Sequence, residues 1–245
     1  MSANKYALVT GASRGIGRAI AVRLAKDGYR IIINYASNRT EAEKTLAQVR
    51  EAGSDGELLQ FDVADGVAAQ AALAEWHGKH DGDYISVLVN NAGIRKDSLL
   101  MWMPEDDWHK VLSVSLDGFY HVTQPLLKNM LVAKWGRIIN IVSLSGIKGM
   151  PGQTNYSAAK GGLIAATKAL AQEVAKKKVT VNAIAPGFIK SDMTADLNEA
   201  ELKKMIPVGR FGEPEEVADL TAFLVSDAAG YITGEVISIN GGIYV

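Results

Sequence analysis

The segment Thr10-Gly11-Ala12-Ser13-Arg14-Gly15-Ile16-Gly17 constrains this chain more than any other. It follows a short apolar run, residues 6–9, and leads into residues 16–27. There Ile16, Ile20 and Leu24 recur at helical spacing and Gly28 marks a stop. A glycine-rich turn between strand and helix lets the backbone come close to a ligand. The helix N-terminus adds unpaired N–H groups and the positive end of a dipole. Both suit a pyrophosphate, so the motif points to dinucleotide binding. A plain tight turn is the bland alternative.

The rest of the chain alternates in the same way. Ile31-Ile32-Ile33 is the continuous β-branched run expected of a strand buried on both faces. The pattern predicts further strands over 58–61, 87–89, 137–142, 179–184 and 236–239. It predicts helices over 40–52, 65–79, 106–131, 157–176 and 214–225. Pro125 should bend or interrupt the 106–131 helix. No composition break or repeat divides the chain. The expectation is one α/β domain over residues 1–245, a Rossmann-like doubly wound parallel sheet of about seven strands with helices on both faces. Residues 187–212 are irregular and follow a strand's carboxyl end, which makes them a candidate substrate lid.

Composition closes several other routes. The chain has 245 residues, 26 basic and 27 acidic, for a formal charge of −1, which argues against nucleic acid as a partner. With no cysteine, thiol nucleophiles, disulfides and Cys-ligated zinc are excluded. His77, His80, His109 and His121 are scattered, so no metal site is expected. The N-terminal residues lack a signal-peptide pattern and no long apolar run occurs, so a cytoplasmic protein without a membrane partner is expected.

The ribose 2′ position can be read from charge. NAD binding normally uses a carboxylate after the second strand. Residues 31–40 contain none, while Arg14, Ser37 and Arg39 are available. A guanidinium suits a phosphate dianion. The expected cofactor is therefore NADP(H), against the alternative that both arginines are solvated surface charges.

Tyr156 and Lys160 stand at i and i+4, on one face of a predicted helix. Ser143 and Asn90-Asn91-Ala92-Gly93 each close a predicted strand. Hydride transfer to a ketone builds negative charge on its oxygen, and a phenol is a suitable neutral acid. Its ordinary pKa of about 10 is too high for neutral pH. An ammonium at Lys160 and a positive nicotinamide would both lower it. Ser143 could position the carbonyl. The bland reading of Tyr156 is a core or surface tyrosine.

These features together resemble the short-chain dehydrogenase/reductase family. The resemblance spans nearly the whole chain: the 10–17 loop, Asp62-Val63, Asn90 to Gly93, Ser143, Tyr156 with Lys160, Pro186-Gly187, and the segment 234–242. It implies NAD(P)-dependent interconversion of carbonyl and alcohol. It places Asp62 and Val63 at the adenine, Asn91 by the adenosine ribose, and Pro186, Gly187 and Ile189 along the nicotinamide. It gives Lys160 a contact to the nicotinamide ribose. Where many relatives carry an asparagine that holds a relay water, this chain has Ser115. Either Ser115 holds that water, or the lysine draws its proton from bulk solvent.

Within the family, residues 97–103, 185–194, 208–212 and 231–234 resemble reductases of β-ketoacyl thioesters on acyl carrier protein. The resemblance implies that carrier as partner, with Lys134 and Lys177 as candidate contacts. Carriers are acidic, which favours a basic docking patch. The same lysines could simply complement helix ends. Met101, Trp102, Met103, Met150, Phe188 and Met193 are candidates for an acyl channel, or for core. By resemblance the chain is expected to form a homotetramer, and an exposed last strand would be an edge in need of cover. A small-molecule dehydrogenase and a non-catalytic NADP-binding subunit are the competing readings.

Overall fold

In the computed structural model, which describes residues 5–245, one parallel sheet organises the chain. Its strands are β1 (Tyr6–Val9), β2 (Arg30–Tyr35), β3 (Gly56–Gln60), β4 (Ile85–Asn90), β5 (Gly136–Ile141), β6 (Val179–Pro186) and β7 (Val236–Ile239). Their spatial order is β3-β2-β1-β4-β5-β6-β7, every pair parallel. The helices are α1 (Gly15–Lys26), α2 (Arg39–Glu51), α3 (Gly66–Lys79), α4 (Glu105–Leu112), α5 (Gly118–Ala133), α6 (Leu144–Lys148), α7 (Thr154–Val174), α8 (Glu199–Leu202) and α9 (Pro214–Val225).

The strand runs are apolar because both faces of the sheet are covered. Side chains alternate along a strand. Ala7 and Val9 therefore enter the core beneath α1 and α9, with Ile20, Leu24 and Val217. Tyr6 and Leu8 enter the opposite core, with Leu73 and Trp76 of α3 and Leu126 of α5. The strand order reverses direction between β1 and β4. The loops after these strands part there and open a crevice at their carboxyl ends.

Two differences from the sequence reading bear on the site. The 106–131 helix is not broken at Pro125, which lies inside α5. The departure comes earlier, as a π-helical turn over Ser113–Asp117 between α4 and α5. There the helix comes close to the loop after β3, where a Cβ on Gly118 would stand 2.8 Å from Val63 Cγ2. The second difference is α6, a short helix that the sequence reading left irregular. Ser143 caps it rather than ending a strand, since β5 stops at Ile141.

Beneath the crevice runs a buried polar ladder. Asn90 Nδ2 donates to Asn140 Oδ1 at 2.9 Å and to Thr123 Oγ1 at 3.1 Å. Asn140 Nδ2 donates to Thr167 Oγ1 at 2.8 Å, and Thr167 donates to the Leu163 carbonyl at 2.7 Å. The ladder ties β4 and β5 to α5 and α7, which cover the same face of the sheet. Thr167→Val keeps the shape but leaves a fully buried amide without its acceptor. The unfolding free energy should fall by about 1–3 kcal/mol, read from the urea midpoint at unchanged slope.

Candidate active site

The crevice is a cavity of ≈ 840 Å³ that takes in the glycine loop, the ends of β4 and β5, and the start of the 187–212 segment. At its phosphate end the loop has little room. Gly11 and Gly15 adopt φ of 61° and 54°, in the left-handed region. A Cβ on Gly17 would lie 2.5 Å from the Gly11 carbonyl oxygen and 2.6 Å from Asn91 Nδ2. The first turn of α1 has neither a side-chain cap nor an acidic residue. Its N–H groups thus remain available to an anion, so the cradle fits a pyrophosphate. Asn34, at the end of β2, anchors the loop by accepting from the Gly11 N–H at 3.2 Å.

Ser13, Arg14, Gly15, Ile16, Ser37, Asp62 and Val63 line the same half of the cavity, with Asn91, Ala92 and Gly93 beside them. Pro186, Gly187 and Ile189 line its far wall. Two expected residues stand elsewhere. Arg39 is outside, exposed on α2 and paired with Glu43 at 2.8 Å, an i,i+4 geometry that its helix dictates. Asn90 is spent on the polar ladder described above. Arg14 is on the wall and pairs with Asp192 at 3.0 Å.

Tyr156 and Lys160 lie one turn apart on α7 and both face the cavity. The Lys160 ammonium is 5.6 Å from the centre of the Tyr156 ring. Lys160 is 3% exposed, and its Nζ donates to the Ile141 carbonyl at 2.9 Å. Burial lowers its pKa to about 8. Burial also pushes the Tyr156 phenol up to about 12. The neighbouring Ser143 hydroxyl and the Arg95 guanidinium pull it back, while Asp97 opposes them. The sequence reading expected Lys160 and a bound nicotinamide together to lower it; among the protein groups alone desolvation outweighs the favourable neighbours, so the phenol is protonated at neutral pH.

Ser143 faces the same space. Its Oγ accepts the Ser145 N–H at 3.1 Å as the cap of α6. One lone pair is used and the hydroxyl proton remains free to donate. Ser115 is not on the cavity wall, where its neighbour Val114 stands. It is buried within the π turn, and its Oγ has no hydrogen-bond partner. Arg95 and Lys96 also line the cavity and were missed. The available signal was a pair of cations one residue beyond Asn90 to Gly93. No group of side chains suited to a metal ion occurs among the described residues. None of their helices is long and apolar enough to cross a membrane.

A lysine with a depressed pKa destabilises the fold at neutral pH. Between about 8 and the ordinary 10.5, the unfolded chain binds this proton and the folded chain does not, so stability should rise with pH across that window. Lys160→Met should remove the rise. At pH 7 it should be more stable than the parent by up to roughly 3 kcal/mol, less the bond lost to Ile141. Urea denaturation at pH 7 and pH 10 tests both the sign and the convergence.

A protein-family model described as enoyl-(acyl carrier protein) reductase matches residues 11–244. A 3-oxoacyl-[acyl-carrier-protein] reductase of Staphylococcus epidermidis is 45% identical over 245 residues, covering 99% of this chain and 100% of the relative. Its counterpart in Pseudomonas aeruginosa is 46% identical over 244 residues, covering 98% of each. That of Synechocystis is 46% identical over 239 residues, covering 97% of this chain and 96% of the relative. With the fold, the glycine loop and the Tyr156–Lys160 pair in one crevice, the chain belongs to the short-chain dehydrogenase/reductase family.

Proposed function

We propose that this chain reduces 3-oxoacyl thioesters on acyl carrier protein to 3-hydroxyacyl thioesters, using NADPH. One observation carries the reading: Ser143, Tyr156 and Lys160 face the same cavity as the glycine loop. The names of the similar reductases support the substrate class. When bound, NADPH supplies the hydride that reduces the carbonyl carbon. Gly11, Ser13, Gly15, Ile16 and Gly17 would hold its pyrophosphate, Asp62, Val63 and Asn91 would hold the adenosine half, and Pro186, Gly187 and Ile189 would hold the nicotinamide half. The absence of a carboxylate over residues 31–40, with Arg14 and Ser37 on the wall, favours the 2′-phosphate.

Tyr156 and Ser143 donate hydrogen bonds to the substrate carbonyl oxygen, where negative charge develops. Tyr156 then delivers its proton. A phenol near 12 holds that proton at neutral pH until charge appears beside it. Lys160, near 8, is mostly protonated and close enough to neutral to exchange. Ser115, buried without a protein partner, supports the reading in which it holds a water that resupplies Lys160.

Lys134 and Lys177 precede β5 and β6 side by side, so they lie at the amino end of the sheet. The cavity is at the carboxyl end, about 20 Å away for a six-residue strand. As carrier contacts they would therefore serve the cavity of a neighbouring subunit, which fits a homotetramer in the cytoplasm. Reversing both charges should raise KM for carrier-bound substrate and leave a small thioester unaffected. Equal effects would remove the docking role.

The deciding assay is NADPH oxidation with carrier-bound and free 3-oxoacyl thioesters of several lengths. The expected result is turnover favouring the carrier-bound form and NADPH over NADH. Tyr156→Phe should cut kcat about 10²–10⁴-fold while NADPH still binds by fluorescence titration. An active Phe variant would remove Tyr156 from its role. Selective turnover of small alcohols instead would replace the substrate class.

A further inference from the structure

Ser143 is the last link of a chain of ion pairs and hydrogen bonds that begins outside the cavity floor. Asp196, in the 187–212 segment, pairs with Arg95 Nη2 at 3.4 Å. Arg95 Nε pairs with Asp97 Oδ2 at 3.2 Å. The same Asp97 oxygen accepts from Gln153 Nε2 at 3.0 Å. Gln153 Oε1 accepts from Ser145 Oγ at 2.8 Å. Ser145 N donates to Ser143 Oγ at 3.1 Å. We infer that Arg95 is a positioning residue: through Asp97, Gln153 and Ser145 it fixes the orientation of Ser143, and through Asp196 it ties that orientation to the 187–212 segment. The inference rests on the proposed reduction.

The Gln153 amide can bond in two orientations. A carboxylate only accepts, so an ionised Asp97 demands the NH₂ side. The carbonyl side is then left for Ser145, whose hydroxyl must donate its single proton there. That bond holds the Ser145 side chain, and the Ser145 backbone N–H in turn holds Ser143 Oγ. Without the Asp97 carboxylate the amide can turn and present its NH₂ to Ser145, which then has to accept instead of donate, and the support beneath Ser143 loosens.

Arg95 maintains the arrangement by geometry: its planar guanidinium stands between two carboxylates, Asp97 at Nε and Asp196 at Nη2. A lysine could supply the charge but not the fork. The charged groups facing the Tyr156 phenol are Lys160 from α7, and Arg95 and Asp97 from the loop after β4. Asp196 reaches the phenol through Arg95, and Lys96, Lys110 and Asp192 stand elsewhere on the wall.

The test is a double-mutant cycle in the full chain with a small 3-oxoacyl thioester and NADPH. Asp97→Asn and Gln153→Met should each lower kcat about tenfold, with NADPH affinity and melting temperature near those of the parent. If they act through one chain, the double variant should lose about the same tenfold rather than about a hundredfold. Arg95→Lys should also lose about tenfold and keep the alkaline limb of the pH profile in place. Arg95→Met should lose as much and move that limb upward, because it removes a cation facing the phenol. Additive losses, a fully active Arg95→Lys, or losses that track NADPH affinity or melting temperature would each overturn the inference. A parent chain that turns over no 3-oxoacyl thioester would instead overturn the proposed function and take the inference with it.

Discussion

An ammonium held almost entirely out of water sets the terms for the rest of the site. Lys160 is useful beside a phenol only if water does not screen it, and burying it is costly. The fold meets this cost with geometry. Ile141, the last residue of β5, turns its carbonyl to the ammonium at 2.9 Å. Gly93 and Gly146 make the room. A Cβ on Gly93 would stand 3.3 Å from Lys160 Nζ, and one on Gly146 would stand 2.8 Å from Lys160 Cβ. The close approach of α6 to α7, and of the loop after β4 to both, therefore depends on two glycines outside the phosphate loop.

The sheet explains why such a group can be held at all. Both faces are packed, so the strand ends are positioned by two cores rather than one. The reversal between β1 and β4 opens the crevice where neither face needs filling. Below it, the Asn90–Asn140–Thr167 ladder fixes β4 and β5 against two helices of one face, α5 and α7. The two strand ends that carry Asn91 to Gly93 and Ser143 are thus held in register by fully buried bonds.

Much of this was legible in the sequence because it follows from local rules. The 10–17 loop announces its own strand and helix, and i,i+4 spacing places Tyr156 and Lys160 together without any knowledge of packing. The strand runs predict a doubly covered sheet. What was not legible depends on neighbours distant in the chain. Asn90 reads as a cavity residue until Thr123 and Asn140 claim its amide. Arg39 reads as a phosphate ligand until helix α2 presents it to Glu43. Ser143 reads as a strand end because α6 is too short to show periodicity. Pro125 signals a break, but the distortion falls at Ser113–Asp117, where the turn packs near Val63. The phenol's elevation was invisible for the same reason, since spacing reports proximity and not desolvation.

The two sides of the cavity are held by forces of different kind, and this bears on how a bulky thioester could enter. The floor rests on buried hydrogen bonds, each costly to leave unmade. The 187–212 segment is fastened across the mouth by Arg14 to Asp192, Arg95 to Asp196 and Lys190 to Glu213. Apart from Arg95, these side chains are largely solvent-exposed, and such pairs are worth about 0–1 kcal/mol each and weaken with salt. The stretch 192–196 is thus weakly held over the mouth, while Ile189, Ile206 and Phe211 keep the ends of the segment buried. Arg95, the least exposed of the three cations, is also the one bonded to a side chain of the floor, Asp97. A weakly held cover and a strongly held floor meet at that guanidinium, so the position of the cover can reach Ser143 without the floor itself moving.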